Sequence, residues 1–166
     1  MANDRKYRRF EELPVWRAAI DLGVRVFTLS ATGCFQGNSG LRDQIERASV
    51  SLSSNIAEGF ERGTHEELLT FLYIARGSAG EVRSHLVLME RIPGYEERRS
   101  ELGDIRSLVT DISRQLGAWI ESLKNIDHRG LRYQTDATRH AAREVQRRDA
   151  YLEKLRRIVE DGRKGG

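Results

Sequence analysis

The stretch that decides the fold is residues 44–89, QIERASVSLSSNIAEGFERGTHEELLTFLYIARGSAGEVRSHLVLM. Two apolar segments flank the turn GFERGT, and the T-x-x-E sequence from Thr64 to Glu67 is a capping box that predicts a new helix start. In the second segment, apolar residues recur at alternating steps of four and three, as in a helix seam buried inside a bundle. These are Leu68, Leu72, Ala75, Ala79, Val82, Leu86 and Met89. The stretch therefore predicts a helical hairpin.

Helical periodicity continues on both sides of this hairpin. Its first arm is predicted from about Ser39 to Phe60, and a preceding helix from Pro14 to about Thr32, since proline suits a first helical turn. Gly23, inside the preceding helix, is interpreted as permitting close helix contact. The predicted core positions of that helix are Val15, Ala19, Leu22, Val26 and Leu29. A last helix, from about Glu96 to Lys124, has Leu102, Ile105, Val109, Ile112, Leu116, Trp119 and Leu123 in its seam.

Four helices with short links predict an all-α fold, an antiparallel up-and-down four-helix bundle with a C-terminal fifth amphipathic helix. The predicted domains are a basic arm at 1–9, the bundle at 10–124 and a basic helical extension at 125–166. The fifth helix either packs on the bundle, pairs with a neighbouring chain or orders on nucleic acid, and packing is favoured. The glycine-rich segment 33–40 lacks the Gly-Lys-Ser/Thr of a P-loop and is interpreted as a flexible connector.

Charge is unevenly distributed along the chain. Residues 1–124 contain 17 Lys/Arg and 18 Asp/Glu, whereas residues 125–166 contain 11 and 7, which together give the net charge of +3. The clusters at the two ends are either a solvated surface or a phosphate-binding one, since arginine suits phosphate well. The candidate nucleic-acid-binding residues are Arg5, Lys6, Arg8, Arg9, Arg139, Arg143, Arg147, Arg148, Arg156 and Arg157.

Four polar residues of the hairpin need partners if they face its apolar side: Asn55, Glu58, Arg76 and Glu81. We expect a network in which Arg76 pairs with a carboxylate and Asn55 bonds to backbone, setting the register of the two helices. The alternative is that these residues line a binding pocket.

Catalytic and metal-binding patterns are missing from the sequence, so we expect no enzyme, no metal and no cofactor. Glu81 and His85 stand four apart, whereas bundle metal sites use a Glu-x-x-His spacing from two helices. A single cysteine, Cys34, excludes an internal disulfide and fits a reducing compartment. With no signal-like or membrane-spanning run, a cytoplasmic protein without membrane contact is expected.

Three segments carry a resemblance to a known family: FEELPVWRAAIDL at 10–22, QIERASVSLSSNIAEGFERGT at 44–64 and ELLTFLYIARGSAGEV at 67–82. They resemble the small four-helix-bundle proteins encoded in intervening sequences of bacterial large-subunit ribosomal RNA genes. The same fold includes the accessory variability proteins of diversity-generating retroelements. The resemblance implies a non-enzymatic bundle that forms a homo-oligomer, typically a pentamer. In the retroelement proteins it implies a basic surface that binds nucleic acid and a reverse transcriptase.

Two functions are therefore expected. The first is an oligomeric accessory protein that binds the backbone of RNA or DNA through its basic ends. The second is a protein-interaction scaffold that presents the C-terminal helix to a partner such as a reverse transcriptase, without direct nucleic-acid contact.

Overall fold

The structure of the chain is a computed structural model that describes residues 7–62 and 64–125. Predictions for Arg5, Lys6 and the segment from residue 126, including the fifth helix and its six candidate arginines, lie outside the described residues. These arginines are Arg139, Arg143, Arg147, Arg148, Arg156 and Arg157.

The described residues form four α-helices and no strand. They are α1 (Pro14–Ala31), α2 (Ser39–Glu61), α3 (His65–Met89) and α4 (Arg99–Lys124), with 3-10 turns at Phe10–Glu12 and Glu96–Arg98. The capping box predicted at the start of α3 is confirmed. The backbone N–H of Glu67 donates to Thr64 Oγ1 at 3.2 Å, and the Thr64 hydroxyl donates to the Glu67 carboxylate at 2.9 Å.

The four helices close into a bundle. Helix α1 packs against α2 and α4, and α3 packs against the same two neighbours, whereas the Cα atoms of the diagonal pairs stay more than 8 Å apart within the described residues. Consecutive helices joined by short links run antiparallel, so the chain goes up and down around one core. This confirms the predicted all-α up-and-down bundle.

The predicted seams are buried, with one correction in α4. All five predicted core residues of α1 and all seven of α3 are buried. In α4, however, the buried position near the end is Ile120, which is 0% exposed, and Trp119 is only partly buried at the edge of the core. A straight helix has 3.6 residues per turn rather than 3.5, so a heptad-spaced stripe drifts until the next residue takes the core position.

The close helix approach occurs at Gly59 and not at Gly23. A Cβ atom on Gly59 would lie 2.7 Å from Phe71 Cβ and 3.3 Å from Leu68 Cδ1, whereas a Cβ on Gly23 would meet no atom within 4 Å among the described residues. The prediction for Gly23 is therefore wrong. The absence of a side chain at Gly59 lets α2 and α3 approach beside the turn that joins them.

The loop between α1 and α2 covers one end of the bundle. Phe35 is 4% exposed and meets Tyr95, from the connection between α3 and α4, edge to face at a centroid distance of 6.1 Å. Gly33 and Gly37 have φ angles of 75° and 80°, which let the loop turn back over the core. The segment is thus a packed cap of the core, which corrects its interpretation as a flexible connector.

Candidate nucleic-acid interface

The polar contact that joins α2 to α3 is made by two serines. Ser51 Oγ and Ser78 Oγ are 2.9 Å apart, and Ser78 Oγ also lies 3.2 Å from the Ile74 carbonyl oxygen. The Asn55 amide donates to the Ser51 carbonyl at 2.7 Å and to Ser51 Oγ at 3.0 Å. The expected bond from Asn55 to backbone is present. The bridge between the helices is the serine pair, which the sequence did not single out because four other serines lie close by.

The other three residues of the expected network lie on the surface. Glu58 pairs with Arg62 one turn away at 2.6 Å, and Glu81 is exposed. Arg76 is exposed and makes no ion pair with a carboxylate of the described residues; it extends over Gly117 of α4, whose Cβ would lie 3.6 Å from Arg76 Cζ. The expected Arg76–carboxylate pair is therefore wrong. A long side chain with solvent in reach keeps its charge hydrated instead of being buried.

The N-terminal arginines within the described residues are exposed beside acidic groups. Arg9 bonds to the Glu11 carboxylate at 2.7 Å, and this hydrogen bond raises the pKa of Arg9 while it lowers that of Glu11. The backbone N–H of Arg8 donates to the Glu12 carboxylate at 2.9 Å. Phosphate binding by Arg9 would thus have to compete with Glu11.

A groove with a basic lining runs between α3 and α4. It has a volume of about 300 Å³ and is lined by Gly80, Arg83, Ser84, Val87, Arg106 and Thr110. Arg106 Nε is 3.0 Å from the carboxylate of Glu90, while Arg83 forms no ion pair within the described residues. We call this the α3/α4 groove.

The opposite side of α4 borders a groove whose lining is mainly acidic. This α1/α4 groove, of about 430 Å³, is lined by Arg25, Thr28, Glu97, Ser100, Glu101, Asp104 and Ile105. Three carboxylates face one arginine there, and Glu101 also pairs with Arg98 at 3.0 Å. Helix α4 thus separates a basic groove from an acidic one, although the charges of the bundle nearly cancel in sum.

An apolar strip lies exposed on α1. Ile20, Val24 and Phe27 are 38%, 60% and 46% exposed, and steps of four and three place them on one helix face with Gly23. Three large apolar side chains in a row on one face are typical of a contact surface. The sequence alone does not reveal this strip, because the more regular apolar stripe of the same helix is the buried one.

No group of three or more His, Cys, Asp or Glu residues in the described chain could hold a metal ion. None of the described helices is both long enough and apolar enough to cross a membrane. Cys34 is partly buried, and its thiol lies 3.3 Å from the Leu29 carbonyl oxygen.

Fold and surface together define a small four-helix-bundle protein in which α4 borders two grooves of opposite charge. Residues 11–118 match the family described as 23S rRNA-intervening sequence protein. The chain belongs to this family, which confirms that part of the resemblance.

One solved structure shares the fold. It is a protein of unknown function from the S23 ribosomal protein family of Bacteroides thetaiotaomicron VPI-5482, with a TM-score of 0.55 and 23% identity. The match covers 64% of this chain and 98% of that one. No curated protein matches the sequence.

Proposed function

We propose that this protein is a non-enzymatic, self-associating bundle that binds the backbone of RNA or DNA in a ribonucleoprotein or retroelement setting in the cytoplasm. The observation that carries the proposal is the surplus of cationic residues in 125–166, 11 Lys/Arg against 7 Asp/Glu, appended to a nearly neutral bundle. Cations that neutralise phosphates release counterions from the nucleic acid, which drives binding without sequence readout.

Membership in a family named for an intervening sequence of 23S rRNA supports an RNA-associated role. The named candidates are low in aromatic neighbours, so the contacts are directed to phosphates more than to bases. Arg9 contributes less than an unpaired arginine would, because its guanidinium already binds the Glu11 carboxylate.

Self-association as a homo-oligomer, with a pentamer as the specific expectation, is supported by the apolar strip on α1. Val24 is 60% exposed at the centre of that strip. Burying it against another copy would remove apolar surface from water at about 25 cal/mol per Å². An oligomer would also present several basic segments together, which raises the effective concentration of each for one RNA molecule.

The test uses the full chain and a fluorescently labelled structured RNA, with anisotropy measured from about 50 to 200 mM salt. A protein that contacts six phosphates should lose roughly 10³-fold in affinity over this range. Replacing Arg139, Arg143, Arg147, Arg148, Arg156 and Arg157 with Gln should weaken binding and flatten the salt slope. Absence of binding by the unmodified chain would refute the proposal.

The second candidate function is the interaction scaffold, with a partner such as a reverse transcriptase. The exposed Ile20, Val24 and Phe27 favour it, because an apolar strip recognises protein and not phosphate. Under this function the unmodified chain binds no RNA, and Val24→Glu disrupts capture of a purified reverse transcriptase encoded beside its gene.

A further inference from the structure

The basic α3/α4 groove is a feature of the bundle itself, separate from the two chain ends. Two of its six lining residues are arginines, one from each helix, and its lining contains no carboxylate. Arg106 forms an ion pair with Glu90, whose carboxylate is 3.0 Å from the Arg106 Nε and whose side chain is 22% exposed. The lining therefore keeps a net positive charge after this pair is counted.

The two arginines are prepared for an anion in different ways. Arg83 has no ion-pair partner among the described residues, so binding an anion to its guanidinium breaks no existing ion pair there. Arg106 forms an ion pair with Glu90 through its Nε, and its two terminal nitrogens belong to no ion pair within the described residues. The terminal nitrogens of a guanidinium form a paired donor edge that fits phosphate oxygens.

The neutral residues of the groove set its shape. A Cβ on Gly80 would meet no atom within 4 Å among the described residues, so the wall there is open backbone surface. Ser84 is exposed and makes no hydrogen bond within the described residues, so its hydroxyl can donate to a ligand. The Thr110 hydroxyl is already committed, at 2.7 Å, to the Arg106 carbonyl.

Further cationic residues lie along the interface between α3 and α4. Arg76 extends over Gly117, and seven residues separate it from Arg83, which is about 10 Å along a helix at 1.5 Å per residue. Phosphates of one stacked strand repeat every ~3.4 Å, so this interval spans about three of them. Beyond Arg76, Lys124 Nζ lies 5.5 Å from the ring centroid of the exposed Tyr73. Contact with Tyr73 and Glu121 raises the pKa of Lys124, which keeps it charged.

We propose that the α3/α4 groove is a binding site for the phosphate backbone of one nucleic-acid strand, with Arg83 and Arg106 as its central contacts. Arg76 and Lys124 extend this site along the interface between α3 and α4. The inference rests on the proposed nucleic-acid function. It places a nucleic-acid contact on the bundle itself, although the net charge of the bundle is close to zero. With a volume of about 300 Å³, the groove has room for the phosphate chain of one strand and not for a duplex, so its ligand is a single strand or an unpaired loop.

The experiment measures anisotropy of a labelled 20-nucleotide polyuridine strand with the full chain at about 100 mM salt. Arg83→Gln and Arg106→Gln should each weaken binding about three- to tenfold and lower the salt slope by about 1. The matched control is Arg25→Gln, which removes the same charge from the acidic α1/α4 groove and should leave affinity within twofold. Thermal unfolding by circular dichroism confirms that each variant is folded.

A second variant tests the site without removing an arginine. Ser84→Asp puts a carboxylate between the two guanidinium groups and should weaken binding at least as much as Arg83→Gln. Equal affinity of all three groove variants and the unmodified chain would overturn the site while leaving the proposed function standing. No binding of polyuridine by an unmodified chain that still binds the structured RNA would overturn the site alone, and no binding of either RNA would refute both. Competition by uridine monophosphate at micromolar concentration, at matched ionic strength, would show a small-anion pocket and overturn the strand assignment.

Discussion

Ser51 of α2 and Ser78 of α3 share a hydrogen bond, with 2.9 Å between their hydroxyl oxygens, across the helix pair that the sequence marks as central. Ser78 is 6% exposed. Asn55 fixes Ser51 from one turn away, donating to both its carbonyl and its hydroxyl oxygen. This hydrogen bond joins two positions that are 27 residues apart in sequence, and it thereby fixes the register of α2 against α3.

A double-mutant cycle on Ser51 and Ser78 should show coupling. Each Ser→Ala change should cost about 0.5–1.5 kcal/mol for the interhelical hydrogen bond that it removes, and it leaves the other serine with a partner in its own helix. The double variant should cost less than the sum of the two, by at least about 0.5 kcal/mol. Urea unfolding followed by circular dichroism measures these free energies.

Ser53 is the control for this cycle, since its one hydroxyl hydrogen bond within the described residues goes to the Val50 carbonyl of its own helix, at 3.1 Å. Ser53→Ala should therefore add to Ser78→Ala without coupling. Strict additivity of the Ser51 and Ser78 variants would contradict a register role for the pair.

Replacing Gly59 with Ala should destabilise the protein although alanine is the better helix former. The new methyl group would lie 2.7 Å from Phe71 Cβ, and the resulting overpacking costs about 1–3 kcal/mol. Gly77→Ala in the same hairpin meets no atom within 4 Å and should gain up to ~1 kcal/mol from helix propensity. Thermal unfolding midpoints should move in opposite directions, and a stabilised Gly59→Ala variant would show that α2 and α3 are not in close contact there.

The sequence predicted the elements and much of the core because these depend on local signals. The period of apolar residues, the proline at the start of α1 and the Thr64 capping box each act within a few residues. The sequence pattern placed Trp119 in the core where the structure has Ile120. A heptad count carries a small angular error, and this error accumulates over several turns.

The candidate site was less predictable because it depends on which faces meet. Arg83 and Arg106 are 23 residues apart and belong to two helices, and only the packing of α3 on α4 places them in one groove. The net charge summed over the bundle does not reveal this polarity, since three carboxylates on the other side of α4 offset the two arginines in the sum. Arg76 was assigned to a buried network because its sequence neighbours are apolar, yet it points to the surface.

Stability at alkaline pH should depend on Tyr95. Burial raises the pKa of this tyrosine above its ordinary value of about 10, and a contact with the Asn38 side chain offsets the increase only in part. A group whose pKa is higher in the folded state contributes stability below its unfolded pKa and loses that contribution as pH rises through the folded one. Tyr95→Phe should therefore match the unmodified chain at pH 7 and exceed it increasingly above about pH 10.

Urea unfolding at pH 7, 9 and 10.5 measures this difference, and Tyr73→Phe is the control because Tyr73 is 46% exposed. The Tyr73 variant should follow the unmodified chain across the whole range. A pH-independent difference for Tyr95→Phe would mean that its hydroxyl ionises as readily in the folded protein as in the unfolded chain.

Self-association should depend on the apolar strip of α1. Val24→Glu puts a charge at the most exposed position of the strip, and burying that charge against another copy without a partner costs several kcal/mol. Sedimentation velocity should show the unmodified chain as an oligomer and the variant as a smaller species. Leu88→Glu on α3 is the control, because Leu88 is 47% exposed but lies outside the strip, and its sedimentation should not change. If both variants kept the full assembly, the strip would be free for another protein and the scaffold function would gain support; if the unmodified chain were a monomer, the oligomer itself would be refuted.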